Sequence, residues 1–90
     1  MYDVLYYVVR FTSFAAMLRY ARHGRWTLGD LGHGVRLSKG LWYFTDGTAE
    51  RVADYLHSKP KGMEYVDSGR IDIPPAVIKE IIRAQISKKL

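Results

Sequence analysis

VLYYVVRFTSFAAML, residues Val4–Leu18, is the most apolar window of the chain, and the fold turns on how it is read. On a helical wheel Asp3, Arg10 and Ser13 share one narrow arc, while Val4, Val8, Phe11, Phe14, Ala15 and Leu18 spread over the opposite side. That spacing predicts an amphipathic helix with a wide apolar face. Asp3 near its start and Arg19 and Arg22 near its end suit the helix dipole, and Gly24 supplies a stop. Residues 1–24 are therefore expected to form an apolar N-terminal helix, leading into a small body over 25–90 within a single domain.

Beyond Gly24 the pattern changes. Gly29, Gly32 and Gly34 crowd into six residues and mark a loop. Val35–Ser38 and Leu41–Phe44 are β-rich runs around Lys39-Gly40, a hairpin pattern that Asp46-Gly47 closes. Thr48–Ser58 carries Ala49, Val52, Ala53 and Leu56 at helical spacing, with Asp46 or Thr48 able to cap it and Lys59-Pro60 to end it. Met63–Val66 and Arg70–Ile73 flank Asp67-Ser68-Gly69 as a second hairpin. Pro75 then opens a last helix with Val77, Ile78, Ile81, Ile82 and Ile86 as its apolar stripe, and Lys79, Glu80, Arg83 and Lys88 on or near the other side. The expected class is α+β, in the order α-β-β-α-β-β-α.

Composition narrows the function. Ninety residues, 48% of them hydrophobic and 26% charged, make one small globular domain and argue against a disordered tail. The absence of cysteine removes disulfide frameworks, thiolate metal sites and thiol catalysis, and leaves the compartment open. The net charge of +5 is unevenly spread: residues 1–45 hold six basic and two acidic groups, residues 46–90 eight and seven. A basic excess within the most aromatic half suggests contact with an anionic surface.

No set of residues adds up to a catalytic centre. His23, His33 and His57 lack partners at ligand spacing, so neither metal nor cofactor is expected. Gly29-Asp-Leu-Gly-His-Gly34 is not a G-x-G-x-x-G phosphate loop and has no Lys-Ser/Thr pair after it. Ser38-Lys39 are adjacent in a turn and do not face one another. The chain is expected to be non-catalytic, with no small-molecule substrate.

Two binding functions remain. In the first, the chain is an accessory subunit of a larger assembly, with other protein subunits as partners, because a small domain offers little surface to bury an apolar helix. Val4, Val8, Phe11, Phe14 and Leu18 are then the docking residues. Arg19, Arg22, Arg25, Arg36 and Lys39 are the residues for an anionic surface, including lipid headgroups. The window falls short of the roughly 20 apolar residues of an unaided membrane span. An Arg-bearing, acid-poor N-terminus also fits an organelle-targeting presequence, and an intracellular, organelle- or membrane-associated setting suits this reading.

In the second, basic residues interleaved with aromatics over Arg19–Phe44 bind DNA or RNA through phosphate contacts and base stacking. Thr27-Leu28-x-x-Leu31 and Val35-x-Leu37-Ser38-Lys39 have a spacing similar to a helix-turn-helix, with 63–73 as a wing. Val66-Asp-Ser-Gly-Arg-Ile-Asp-Ile-Pro74 resembles the opening motif of AbrB-type swapped-hairpin DNA-binding domains at Gly69, Arg70, Ile73 and Pro74. That resemblance covers about a sixth of the chain, implies a hairpin paired across a dimer, and lacks the strands that follow the motif's helix in that family. The apolar helix weighs in favour of the accessory subunit.

Overall fold

The apolar window divides at Thr12 instead of forming one helix. In the computed structural model, which describes residues 2–29 and 31–89 but not the side chains of Pro75 and residues 85–89, Val4–Phe11 is a strand, β1. Helix α1 begins only at Phe14 and runs to Gly24. Three valines, two tyrosines and a phenylalanine in eight residues favour an extended backbone, because their branched or ring-bearing side chains crowd a helix turn. Ser13 makes the boundary. Its backbone is extended (φ −152°), and its hydroxyl accepts a hydrogen bond from the Ala16 amide at 3.1 Å, capping α1.

The remaining elements are β2 (Val35–Ser38), β3 (Leu41–Thr45), α2 (Asp46–His57), β4 (Met63–Ile71) and α3 (Pro75–Lys89). The four strands form one antiparallel sheet in the order β2-β3-β1-β4. The order and connectivity through β4 are those of a split β-α-β arrangement, with β1 placed centrally between β3 and β4. The class is thus α+β as expected, but a strand comes first and the element order is β-α-β-β-α-β-α.

Each face of the sheet is packed. Val9, Phe11, Trp42, Phe44 and Met63 meet Ala16, Tyr20 and Ala21 of α1 and Ala49 and Val52 of α2. Val4, Val8, Val35 and Tyr43 meet Ile78 of α3 on the other side, with Leu37, Leu41 and Ile82 packed around them. Period-two alternation along β1 sends Val4 and Val8 to one core and Val9 and Phe11 to the other. A central strand buried on both faces reads as a continuous apolar run.

The β2–β3 hairpin lies where the sequence puts it, and Gly40 takes the left-handed conformation its turn requires (φ +77°). A Cβ there would also stand 2.6 Å from the Phe11 carbonyl oxygen, whose own amide donates to the Gly40 carbonyl at 2.7 Å. The second hairpin is absent. Residues 67–69 do not turn; Asp67, Ser68 and Gly69 pair with Val8, Tyr7 and Tyr6 inside β4, and the extra residue Val66 is taken up as a bulge. Pairing along the whole of β1 outweighs a local turn preference. The hairpin implied by the AbrB-type resemblance is therefore not formed. The helix-turn-helix reading also fails, because Val35–Ser38 is a strand and residues 28–29 and 31–33 form turns.

Helix α2 starts slightly earlier than predicted, with Thr45 at its N-cap position. Neither Asp46 nor Thr48 caps it; the Thr48 hydroxyl instead donates to the Gly32 carbonyl at 2.9 Å and ties down the preceding loop. In α3, Ile78 and Ile82 meet the sheet while Val77 and Ile81 stay exposed, and Ile86 and Lys88 of the predicted pattern lie outside the described side chains. No helix among the described residues is long and apolar enough to cross a membrane.

Candidate functional site

Where β1 ends, three segments leave a gap between them. The chain passes from Arg10 and Phe11 through Thr12 and Ser13 into the first turn of α1, which presents Phe14 and Met17. Across from these stand Leu28 and Gly29 of the α1–β2 loop, and Arg36, Lys39, Gly40 and Trp42 of the hairpin. They enclose a cleft of about 730 Å³, within the 300–1,000 Å³ range of ordinary ligand sites.

Its chemistry is one-sided. Arg10, Arg36 and Lys39 are exposed and bring three positive charges, and among the described residues no carboxylate lines the cleft. Asp30, next in sequence to Gly29, lies outside the described residues. Trp42 is buried on the sheet beneath the gap, stacked on Phe44 with centroids 6.3 Å apart, whereas Phe14 is 63% exposed. The Arg36 Nε–H donates to the Ser38 carbonyl at 3.4 Å, a weak bond that leaves the rest of the guanidinium fork free to turn outward. Residues 4–29 contain no Asp or Glu, so α1 and the end of β1 add nothing negative. A concave apolar surface rimmed by like charges focuses a positive potential into the gap.

The predicted site residues are divided by this geometry. Phe11, Phe14, Arg36 and Lys39 come together at the cleft. Val4 and Val8, expected beside Phe11 and Phe14 on one helix face, are instead buried beneath α3 on the far side of the sheet. Leu18 is half-buried on α1. A single docking face made of Val4, Val8, Phe11, Phe14 and Leu18 does not exist, because strand alternation replaces helical spacing over its first half. Arg19 donates to the Lys61 carbonyl at 2.9 Å, on the side of α1 facing the α2–β4 connection. Arg22 sits in the last turn of α1 and Arg25 caps it.

Arg10 is the residue that sequence reasoning misplaced. On a helix it belongs to a polar arc; on β1 it stands one residue before the buried Phe11, at the lip of the cleft. Its position two residues before Thr12-Ser13 was the available signal. Glu64 is its register neighbour on β4, yet the two make no ion pair within 4 Å. Among the described residues no group of three His, Asp or Glu side chains is arranged to hold a metal ion. Compared with known proteins, the chain matches no family model, no curated protein and no solved structure.

Proposed function

We propose that this chain is a small non-catalytic binding module for single-stranded nucleic acid. Arg10, Arg36 and Lys39 take backbone phosphates, and the exposed ring of Phe14 takes a base. The observation that carries this reading is the meeting of three cations and one exposed aromatic in a cleft whose described residues include no carboxylate. Phosphate contacts supply affinity and ring stacking tolerates any base, so the arrangement suits a strand with little sequence preference. An accessory subunit is called for by an apolar helix in need of a partner. That apolar mass is now buried within the domain by β1 and its two cores.

The test is to titrate isotopically labelled protein with oligothymidylate and, separately, oligouridylate, and to follow its amide resonances. Perturbations should concentrate at residues 10–14, 28–29 and 36–42. Perturbations confined to the α3 face, or none at all, would overturn the assignment. A protein partner instead of a nucleic acid has one observation in its favour, the exposed Val77 and Ile81 on α3. In extracts of the native source, nuclease would release the chain under the first reading and leave it bound under the second.

A further inference from the structure

The lip of the cleft leads onto a second basic surface that the cleft does not include. Thr12 and Ser13 line the cleft, and the connection between α2 and β4 is fastened to this same corner of the chain. The Thr12 amide and hydroxyl both donate to the Gly62 carbonyl, at 2.8 and 3.3 Å, and the Arg19 guanidinium donates to the Lys61 carbonyl at 2.9 Å. Gly62 permits the close approach: it is left-handed (φ +83°), and a Cβ there would stand 2.7 Å from that of Ala16. Residues 55–63 hold His57, Lys59 and Lys61 and no Asp or Glu. Both lysines are exposed, and among the described residues neither joins an ion pair.

Beside these cations β4 presents a ring. Tyr65 is 57% exposed, yet it is held in place from two directions. Its ring meets that of Tyr7 edge to face, centroids 5.9 Å apart, and its hydroxyl lies 2.9 Å from Ser68 Oγ. An exposed ring that is already ordered loses little freedom when a flat partner stacks on it. Tyr7 and Tyr65 of the sheet, with His57 and Lys59 at the end of α2, border an open depression of about 440 Å³. Its described lining includes no carboxylate. Glu64 falls between Met63 and Tyr65 on the strand, so alternation sends it to the other face of the sheet.

We propose that the single strand held in the cleft continues past Thr12 and Ser13 onto this surface, where Lys59 and Lys61 take two further phosphates and the Tyr65 ring takes a second base. The extension rests on the single-strand reading of the cleft and sets the length of its ligand. Cations and an ordered ring, with no acid among them, repeat the chemistry of the cleft, and the Thr12–Gly62 bonds make the two surfaces continuous. Tyr65 lies opposite Val9, five residues before Phe14. Five extended residues cover at most about 18 Å, and the step between strands adds about 5 Å. A strand stacked at about 3.4 Å per nucleotide bridges the two rings with about seven nucleotides.

The two surfaces share no lining residue, so a short and a long strand separate them. Tetrathymidylate carries three phosphates, one for each cation of the cleft, and reads the cleft alone. It should move the cleft amides and leave those of His57, Lys61 and Tyr65 still, whereas decathymidylate should move both sets. The salt slope of decathymidylate should be steeper by about 1.4, for two added phosphates. Tyr65→Ala should weaken decathymidylate about tenfold and leave tetrathymidylate binding unchanged, which also shows that the variant folds. Tyr65→Phe keeps the ring and should bind both strands as the wild type does. Perturbations by decathymidylate that stop at the cleft, or equal decathymidylate affinity in wild type and Tyr65→Ala, would overturn the extension and leave the cleft standing. Silence of the cleft amides with both strands would overturn the extension together with the reading beneath it.

Discussion

Removing the cleft's charge should change how salt acts on oligonucleotide binding, by an amount the structure sets. Three cations line the gap, so at most three phosphates are neutralised there. For a single strand each contributes a slope of about −0.7 in log affinity against log salt, giving about −2 in all. A fourfold rise in salt should then weaken binding about twentyfold in the wild-type protein. Neutralising one residue, as in Arg36→Gln, should reduce the slope by about 0.7, and neutralising all three should leave it near zero. All three side chains are exposed, so the substitutions should alter folding stability by less than about 0.5 kcal/mol. Phe14→Ala is the complementary change: it removes a stacking surface worth about 1–3 kcal/mol per base, lowering affinity at every salt concentration without altering the slope. Arg70→Gln is the control, since that side chain pairs with Asp3 at 3.3 Å on the β4 edge of the sheet. Fluorescence anisotropy of a labelled oligothymidylate across a salt series reads every one of these quantities. A triple variant that keeps the wild-type slope would refute the cleft as the phosphate site.

Three further outcomes follow from the packing and the buried phenols. Phe44 is fully buried and packs against the rings of Tyr20 and Trp42, so Phe44→Ala should cost about 3–5 kcal/mol, measurable as a shift of the urea midpoint. A loss below about 1 kcal/mol would remove it from the core. Tyr20 and Tyr43 are both pushed up to about 12 from an ordinary 10.0, chiefly by burial. Their neutral forms favour the folded state, so this contribution is complete below pH 10 and is lost as pH rises from 10 toward 12. Melting temperature should fall across that window, and less steeply in Tyr20→Phe; a flat profile would contradict it. Ile78→Asp should place a charge between α3 and the sheet and strip amide protection from α3 while β1 stays protected. Unchanged exchange in α3 would show that Ile78 does not hold the helix down.

Local signals carried the fold only where the chain is locally determined. The hairpin around Lys39-Gly40, the helix ending at His57 and the helix opening at Pro75 each had punctuation at the right place, and each forms. Two segments were misread for one reason, the demands of β1. As the central strand it is buried on both faces, so its period-two pattern disappears into an unbroken apolar run that a helical wheel can also accommodate. Residues 67–69 were read as a turn because their composition is turn-like, but β1 offers them a full ladder of partners. Gly69 serves a different purpose there. Its missing side chain makes room for the Tyr6 ring, which lies 3.0 Å from where a Cβ would be. Propensity gave way to long-range pairing in both cases.

The same misreading displaced the site. Read as a helix, the first segment gives an apolar face that must find a partner and leaves Arg10 as an interruption to be turned away from it. Read as a strand, its apolar side chains are shared between two cores of the domain itself. What remains unexplained is then the charge and not the hydrophobic mass. Arg36 and Lys39 were legible as a basic pair in a hairpin, but their convergence with Arg10 was not, because 25 residues of sequence lie between Arg10 and Arg36. Only the β1–β3 register, with Arg10 opposite Leu41, brings the end of β1 to the hairpin turn. Once there, mutual repulsion among three cations makes the cleft costly to leave without a counter-charge. A small domain that buries most of the apolar run of β1 in its own cores, yet gathers three cations around an exposed phenylalanine, is better matched to a polyanion with stackable rings than to an apolar partner.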